Sequence, residues 1–159
     1  MRVKDLMTTD VKYCSDYNTL NTAARIMWEH DIGCVPVVDH DGRVIGMLTD
    51  RDVCMGAYIQ GAPLTGALVT SAMSKQMFFC RPEDDITAAE KLMREKQIHR
   101  LPVLDSEQHL VGLISLNDIA REGACEAETN KARQVSDAEI AQVLASVCAP
   151  RHRIIQPGY

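Results

Sequence analysis

Two short patterns in this chain could do chemistry: Gly46-x-x-Thr49-x-x-Asp52 and Gly112-x-x-Ser115-x-x-Asp118. Each follows an apolar run and closes where a helix is predicted to begin. A hydroxyl and a carboxylate three residues apart at such a junction satisfy orphan backbone N–H groups, which is helix capping and needs no ligand. The same geometry also suits a nucleotide. A helix N-terminus turns free N–H groups and the positive end of its dipole toward a phosphate. The hydroxyl can donate to a phosphate oxygen, and an aspartate in the first turn can accept from both hydroxyls of a ribose. The glycine permits close backbone approach.

A third feature is His99-Arg100, directly before Leu101-Pro102. Arg100 is a permanent cation with a planar donor fork that matches phosphate. At the start of a strand beside an open groove, core packing explains it poorly. The plain alternative is a surface ion pair, worth little to stability. The first half of the chain has Gly33-Cys34 at the corresponding place. Its groove is therefore predicted to be less basic, and the two sites to be inequivalent.

The elements that must position these residues occur twice. Residues 3–55 and 69–121 align without a gap at an offset of 66. Identical pairs include Val3/Val69, Met7/Met73, Cys14/Cys80, Met27/Met93, Pro36/Pro102, Gly46/Gly112 and Asp52/Asp118. A fixed offset kept across changing periodicities means two copies of one supersecondary unit. Each copy reads strand, helix, strand, strand, helix. Short β-prone runs stand at 11–14 and 77–80. Leu20, Ala23, Ala24 and Met27 recur at helical spacing, as do Ile86, Ala89 and Met93, behind Thr19 and Asp85 as N-caps. Strands follow at 34–38 and 44–48, joined by the turn His40-Asp41-Gly42, and at 100–104 and 110–114. Pro36 and Pro102 lack a donor and so are expected at a strand start or an edge. A second helix starts near Asp50 and near Leu116.

The domain reading is a first repeat over 1–60, a linker over 61–68, a second repeat over 69–122 and a C-terminal extension over 123–159. Within the extension, residues 126–134 are polar and read as loosely held. Ser136-Asp137-Ala138-Glu139 reads as an N-cap with an acidic first turn. It introduces a helix near 137–148 with Ile140, Val143, Leu144 and Val147 on one face, expected to dock on its own domain. Residues 151–159 are expected to be mobile.

Composition bounds the rest. The 159 residues suffice for one domain or two small ones sharing a core. A net charge of −5 argues against a broad nucleic-acid surface but allows one small basic pocket. No apolar run reaches about 18 residues, and Met1-Arg2-Val3-Lys4-Asp5 lacks a leader's apolar stretch, so a cytoplasmic protein without membrane contact is expected. The six cysteines are scattered without a Cys-x-x-Cys pair, which disfavours structural zinc and suggests buried reduced thiols. No nucleophile–base pair, phosphate loop or metal constellation stands out, so no enzyme and no catalytic cofactor is expected.

Asp5-Leu6-Met7-Thr8, the two Ile-x-x-x-Pro-Val-x-Asp segments and the two Gly-x-x-Thr/Ser-x-x-Asp motifs together resemble a tandem cystathionine β-synthase-type (CBS) domain pair over about residues 1–122. The free-standing form resembles bacterial stress- or hypoxia-associated CBS proteins. Ile98-His99-Arg100-Leu101-Pro102-Val103 also resembles a stretch of the γ regulatory subunit of AMP-activated protein kinase, where a His-Arg pair contacts nucleotide phosphates. The resemblance implies an α/β (α+β) fold, with two three-stranded sheets about a pseudo-twofold axis and clefts between the units. It also implies an adenosine-containing regulatory ligand (AMP foremost, or ADP, ATP or NAD) and commonly a homodimer. Carried over by position, Asp52 and Asp118 would hold ribose hydroxyls, and Thr49 and Ser115 would contact phosphate or ribose. Arg51 and Asn117 would stand at the cleft mouth, Val35, Met47, Leu101 and Leu113 along the base, and His99 and Arg100 on the phosphates. The competing expectation is a dimeric interaction protein whose clefts bind no nucleotide.

Overall fold

A computed structural model describes residues 1–129 and 137–148. The first copy runs α1 (Val3–Leu6), β1 (Cys14–Ser15), α2 (Leu20–Glu29), β2 (Cys34–Val38), β3 (Val44–Thr49) and α3 (Asp50–Gln60). The second contributes α4 (Ile86–Lys96), β4 (Arg100–Leu104), β5 (Leu110–Ser115) and α5 (Leu116–Thr129), followed by α6 (Asp137–Val147). The class is mixed helix and strand, in two repeats, as the spacing predicts.

The helices form where the sequence carries their signals. Thr19 caps α2 by accepting from the Thr22 N–H, and α2 buries Leu20, Ala23 and Met27. Asp85 caps α4 without a side-chain bond, and α4 buries Ile86, Ala89 and Met93. Asp31 and Gln97, 66 residues apart, both take positive φ just past their helices, at 52° each. The left-handed residue turns the chain from helix into strand.

One of the two sheets is smaller than the resemblance implies. One has three strands in the order β1-β2-β3, and the other has two, β4-β5. The run at 11–14 yields a strand only from Cys14, and the run at 77–80 yields a single bridge between Cys80 and Val103. Pro36 lies within the middle strand of its sheet rather than at an edge. Pairing with β1 begins one residue later, at Val37, so the missing donor is not called upon there.

The two copies exchange their leading segments. Val3 of α1 packs in the second core with Ile86, Met93, Leu101 and Ile119. Val69 and Ala67 pack in the first core with Leu20, Val35 and Leu48. Backbone bonds fasten each crossing: Thr8 exchanges hydrogen bonds with Leu113, and Ser74 does the same with Met47. These two bridges are images of each other under the 66-residue offset, as are Arg2–Asp85 and Thr19–Leu68. Arg43 bridges His109, its own counterpart, so that pair lies on the pseudo-twofold axis. Beside it, Val38, Val44 and Leu104 form a small core joining the two hairpins, with Leu110 packed against them.

The crossing explains the motif glycines. A methyl on Gly112 would stand 2.5 Å from Met7 Sδ and 3.2 Å from the Thr8 carbonyl oxygen. One on Gly46 would stand 2.6 Å from Met73 Sδ and 2.9 Å from the Ser74 carbonyl oxygen. The close approach is by the chain's own crossing segment, not by a ligand.

The C-terminal region is more helical than expected. Residues 126–129 extend α5, while 130–136 and 149–159, including Ser136 and the tail expected to be mobile, lie outside the described residues. Helix α6 docks on its own domain, burying Val143 and Val147 in the second core. Gln97 Nε2 donates to the Ser146 carbonyl at 3.2 Å. Leu144 does not share that buried face and is 43% exposed. Cys14, Cys34 and Cys80 are buried as expected, but Cys54 and Cys148 are exposed.

Candidate functional site

Both motif junctions are capping boxes. At α3, Asp52 Oδ2 accepts from the Thr49 N–H at 2.9 Å and from its hydroxyl at 2.7 Å, while the Asp52 N–H donates back to Thr49 Oγ1 at 3.1 Å. At α5, Asp118 Oδ2 accepts from the Ser115 N–H at 2.9 Å and hydroxyl at 2.6 Å, and the Asp118 N–H donates back at 3.3 Å. Capping therefore holds at both.

A cleft of about 520 Å³ opens before Ser115 and Asp118, within the size range of small-molecule sites, about 300–1,000 Å³. The second repeat contributes Arg100, Leu113, Ser115, Asn117 and Asp118, all expected from the sequence, together with Ala120 and Arg121. The opposite wall is Asp31, Ile32 and Cys34 of the first repeat, and the crossing segment supplies Thr8, Asp10, Val11 and Lys12. The site is thus built from three stretches far apart in sequence.

Arg100 reaches over the first repeat. A methyl on Gly33 would meet its Nη2 at 3.7 Å and Asp50 Oδ2 at 3.5 Å. Arg100 therefore comes close to the place where the first repeat has Gly33-Cys34 in the position of a basic residue. The other two cations of the cleft also stand beside carboxylates. Lys12 Nζ binds both Asp10 oxygens at 2.9 Å, and that hydrogen bond holds Asp10 below the usual carboxylate range. Arg121 Nη2 donates to Asp118 Oδ1. Burial pushes the Cys34 thiol up, a shift that the Arg100 guanidinium opposes and Asp50 reinforces. That thiol is a neutral part of the wall.

The remaining expected residues stand elsewhere. Val35 and Leu101 are fully buried in the two cores and do not line this cleft. Ile32, Cys34, Val11 and Leu113 supply apolar lining of the cleft. Met47 is bonded to the crossing Ser74, and Thr49, Arg51 and Asp52 start α3, away from this cleft. His99 does not line the cleft; its carbonyl accepts from the Leu116 N–H at 2.9 Å and fixes the approach of β4 to α5. Arg121 was within reach of sequence reasoning, because a cation three residues after an aspartate on one helix faces it. Lys12 and Asp31 carried no such signal.

Among the described residues, the metal-competent cluster is Asp39, His40 and Asp41 in the β2–β3 turn. Asp39 Oδ1 already accepts from the Asp41 and Arg43 N–H groups there. No helix among the described residues is long and apolar enough to cross a membrane.

The family model for the CBS domain matches residues 3–56 and again residues 69–124. The chain belongs to the CBS-domain family. As a CBS pair it is 38% identical over 137 residues to the CBS domain-containing protein YhcV of Bacillus subtilis, covering 83% of this chain and 96% of YhcV. It is 31% identical over 147 residues to Hypoxic response protein 1 of Mycobacterium tuberculosis, covering 92% of this chain and 94% of that one. The crystal structure of Hypoxic Response Protein I with two coordinated zinc ions superposes with a TM-score of 0.70 at 32% identity, over 76% of this chain and 98% of that one. The CBS pair of protein MJ0100, in complex with 5′-methylthioadenosine and S-adenosyl-L-methionine, gives 0.71 at 22% identity, over 79% and 98%. That last likeness is one of fold.

Proposed function

We propose that this CBS pair is a regulatory module that binds an adenosine-containing ligand, AMP foremost, in the cleft before α5. One observation carries the reading: the Ser115–Asp118 box opens into the same cleft as the Arg100 guanidinium. Asp118 accepts from the ribose, the α5 N-terminus and Ser115 face the phosphate, and Arg100 neutralises it. Leu113, Ile32 and Val11 flank the base. The adenosyl ligands of the MJ0100 pair, which has the same fold, support the class of ligand. Because both repeats wall the cleft, ligand binding biases how they sit against each other, and a partner can read that difference. No bond-making step is assigned to any residue.

The test is a melting series. At a hundredfold excess over Kd, AMP adds about 2.7 kcal/mol to the stability of a protein that binds it only when folded. The shift is expected with the unmodified chain and lost in Asp118→Ala and in Arg100→Ala. No response to AMP, ADP, ATP, NAD or 5′-methylthioadenosine by melting or calorimetry would sink the proposal.

A second reading has its own observation. The first repeat exposes Trp28 (88%) on α2 with Tyr58 (80%) and Ile59 on α3. These exposed apolar side chains support a homodimer or protein-docking role, with clefts that bind no nucleotide. A sedimentation measurement showing a stable dimer, dissociated by Trp28→Glu and indifferent to every nucleotide above, would favour it.

A further inference from the structure

Asp118 has fewer open acceptor positions than its role requires. A carboxylate offers about four. Two are taken on Oδ2 by the Ser115 N–H and hydroxyl, at 2.9 and 2.6 Å. Oδ1 accepts from Arg121 Nη2, one turn further along α5. One position is left, whereas a ribose diol gripped through both hydroxyls needs two. In the first repeat Asp52 has the same two donors from Thr49, but the residue at the place of Arg121 is Met55. The obstruction therefore belongs to the second repeat.

The two partners differ in freedom. The Asp118 side chain is 11% exposed and doubly anchored by Ser115, while the Arg121 side chain is 79% exposed. In any rearrangement it is the arginine that moves. We infer that Arg121 is a specificity-determining residue that sets which sugar the cleft reads. With Arg121 on Oδ1, Asp118 accepts one hydroxyl, and ribose and 2′-deoxyribose are held nearly alike. With Arg121 swung into solvent, the diol occupies both positions and ribose is preferred. This rests on the reading of the cleft as a nucleotide site.

Arg121 also lines the cleft as a cation, so its removal weakens every anionic ligand. The ratio of two Kd values, for AMP and for 2′-deoxy-AMP, cancels that effect. Calorimetric titration of the full chain with both nucleotides is expected to give a ratio within about threefold for the unmodified protein. In Arg121→Ala the ratio should rise to about tenfold or more in favour of AMP, the worth of one hydrogen bond to a charged group. Arg121→Lys returns a donor to the carboxylate and should bring the ratio back below about threefold. A substitution at so exposed a position leaves the fold intact, which a melting curve checks. A ratio that Arg121→Ala does not move, or one already near tenfold in the unmodified chain, overturns the inference while the nucleotide reading stands. If neither nucleotide binds the folded, unmodified chain, the nucleotide reading fails and the role of Arg121 falls with it.

Discussion

The guanidinium of Arg100 lies against Gly33, the residue that corresponds to His99 in the other repeat, with Nη2 3.7 Å from where a Gly33 methyl would sit. A residue of the second copy thus occupies space left open by the first. Arg100 therefore stands where the two copies meet.

That relationship predicts a graded response at Gly33. A single methyl meets Arg100 and Asp50 only at ordinary contact distance, so Gly33→Ala should leave AMP affinity within about twofold. Gly33→Leu extends into the guanidinium and should weaken AMP by about tenfold, as loss of a charge-assisted contact does. Equal affinities in calorimetry for the two variants would show that Arg100 does not need this berth.

The motif glycines should matter for stability before ligand binding. Gly112→Ala drives a methyl into Met7 and the Thr8 carbonyl, and overpacking of that kind costs about 1–3 kcal/mol. Gly66→Ala meets nothing closer than 3.6 Å and serves as the control. Denaturant titration should separate them clearly, and equal midpoints would mean that the crossing segment yields freely.

Capping and binding can be told apart by comparing the two hydroxyls. Thr49→Ala and Ser115→Ala each remove an N-cap acceptor and should each cost about 0.5–2 kcal/mol of stability. Only Ser115 lines the cleft, so only Ser115→Ala should also weaken AMP. A matched loss of affinity in Thr49→Ala would place the ligand at the other helix start.

Burial raises two core thiols, Cys14 from an ordinary 9.0 to about 11 and Cys80 to about 12. The folded state therefore favours their protonated forms. The resulting stability is complete below the unfolded value near 9.0 and is lost as pH rises through 11 to 12. Chemical denaturation from pH 8 to pH 11 should show stability falling above about pH 9, each unit of difference in pKa being worth about 1.4 kcal/mol. Cys80→Ala should flatten that fall. An unchanged slope would assign the alkaline loss to other groups.

Much of this was legible because the chain states its pattern twice. Thr19, Thr49 and Ser115 announce helix starts through local hydrogen bonding, which depends only on residues three apart. Val143 and Val147 mark the buried face of α6 by their four-residue spacing. Leu144, one residue beyond Val143, shows the limit: an apolar type permits burial but does not choose its neighbours. Val35 and Leu101 show a related limit. All five residues of β2 are buried, so alternation, which would tell the cleft side from the core side, is absent.

By itself, the sequence determined the two-copy plan, the order of elements, the two capping boxes and the inequality between Arg100 and Cys34. All of these are written in residue type and short spacing, and local backbone physics reads them directly. Only the tertiary structure decided that α1 joins the second core, that Gly112 makes room for Met7, and that Arg100 rests over Gly33. Those contacts join residues tens of positions apart. Their partners are selected by the packing of two complete units about one axis, and no local stretch of chain carries that information.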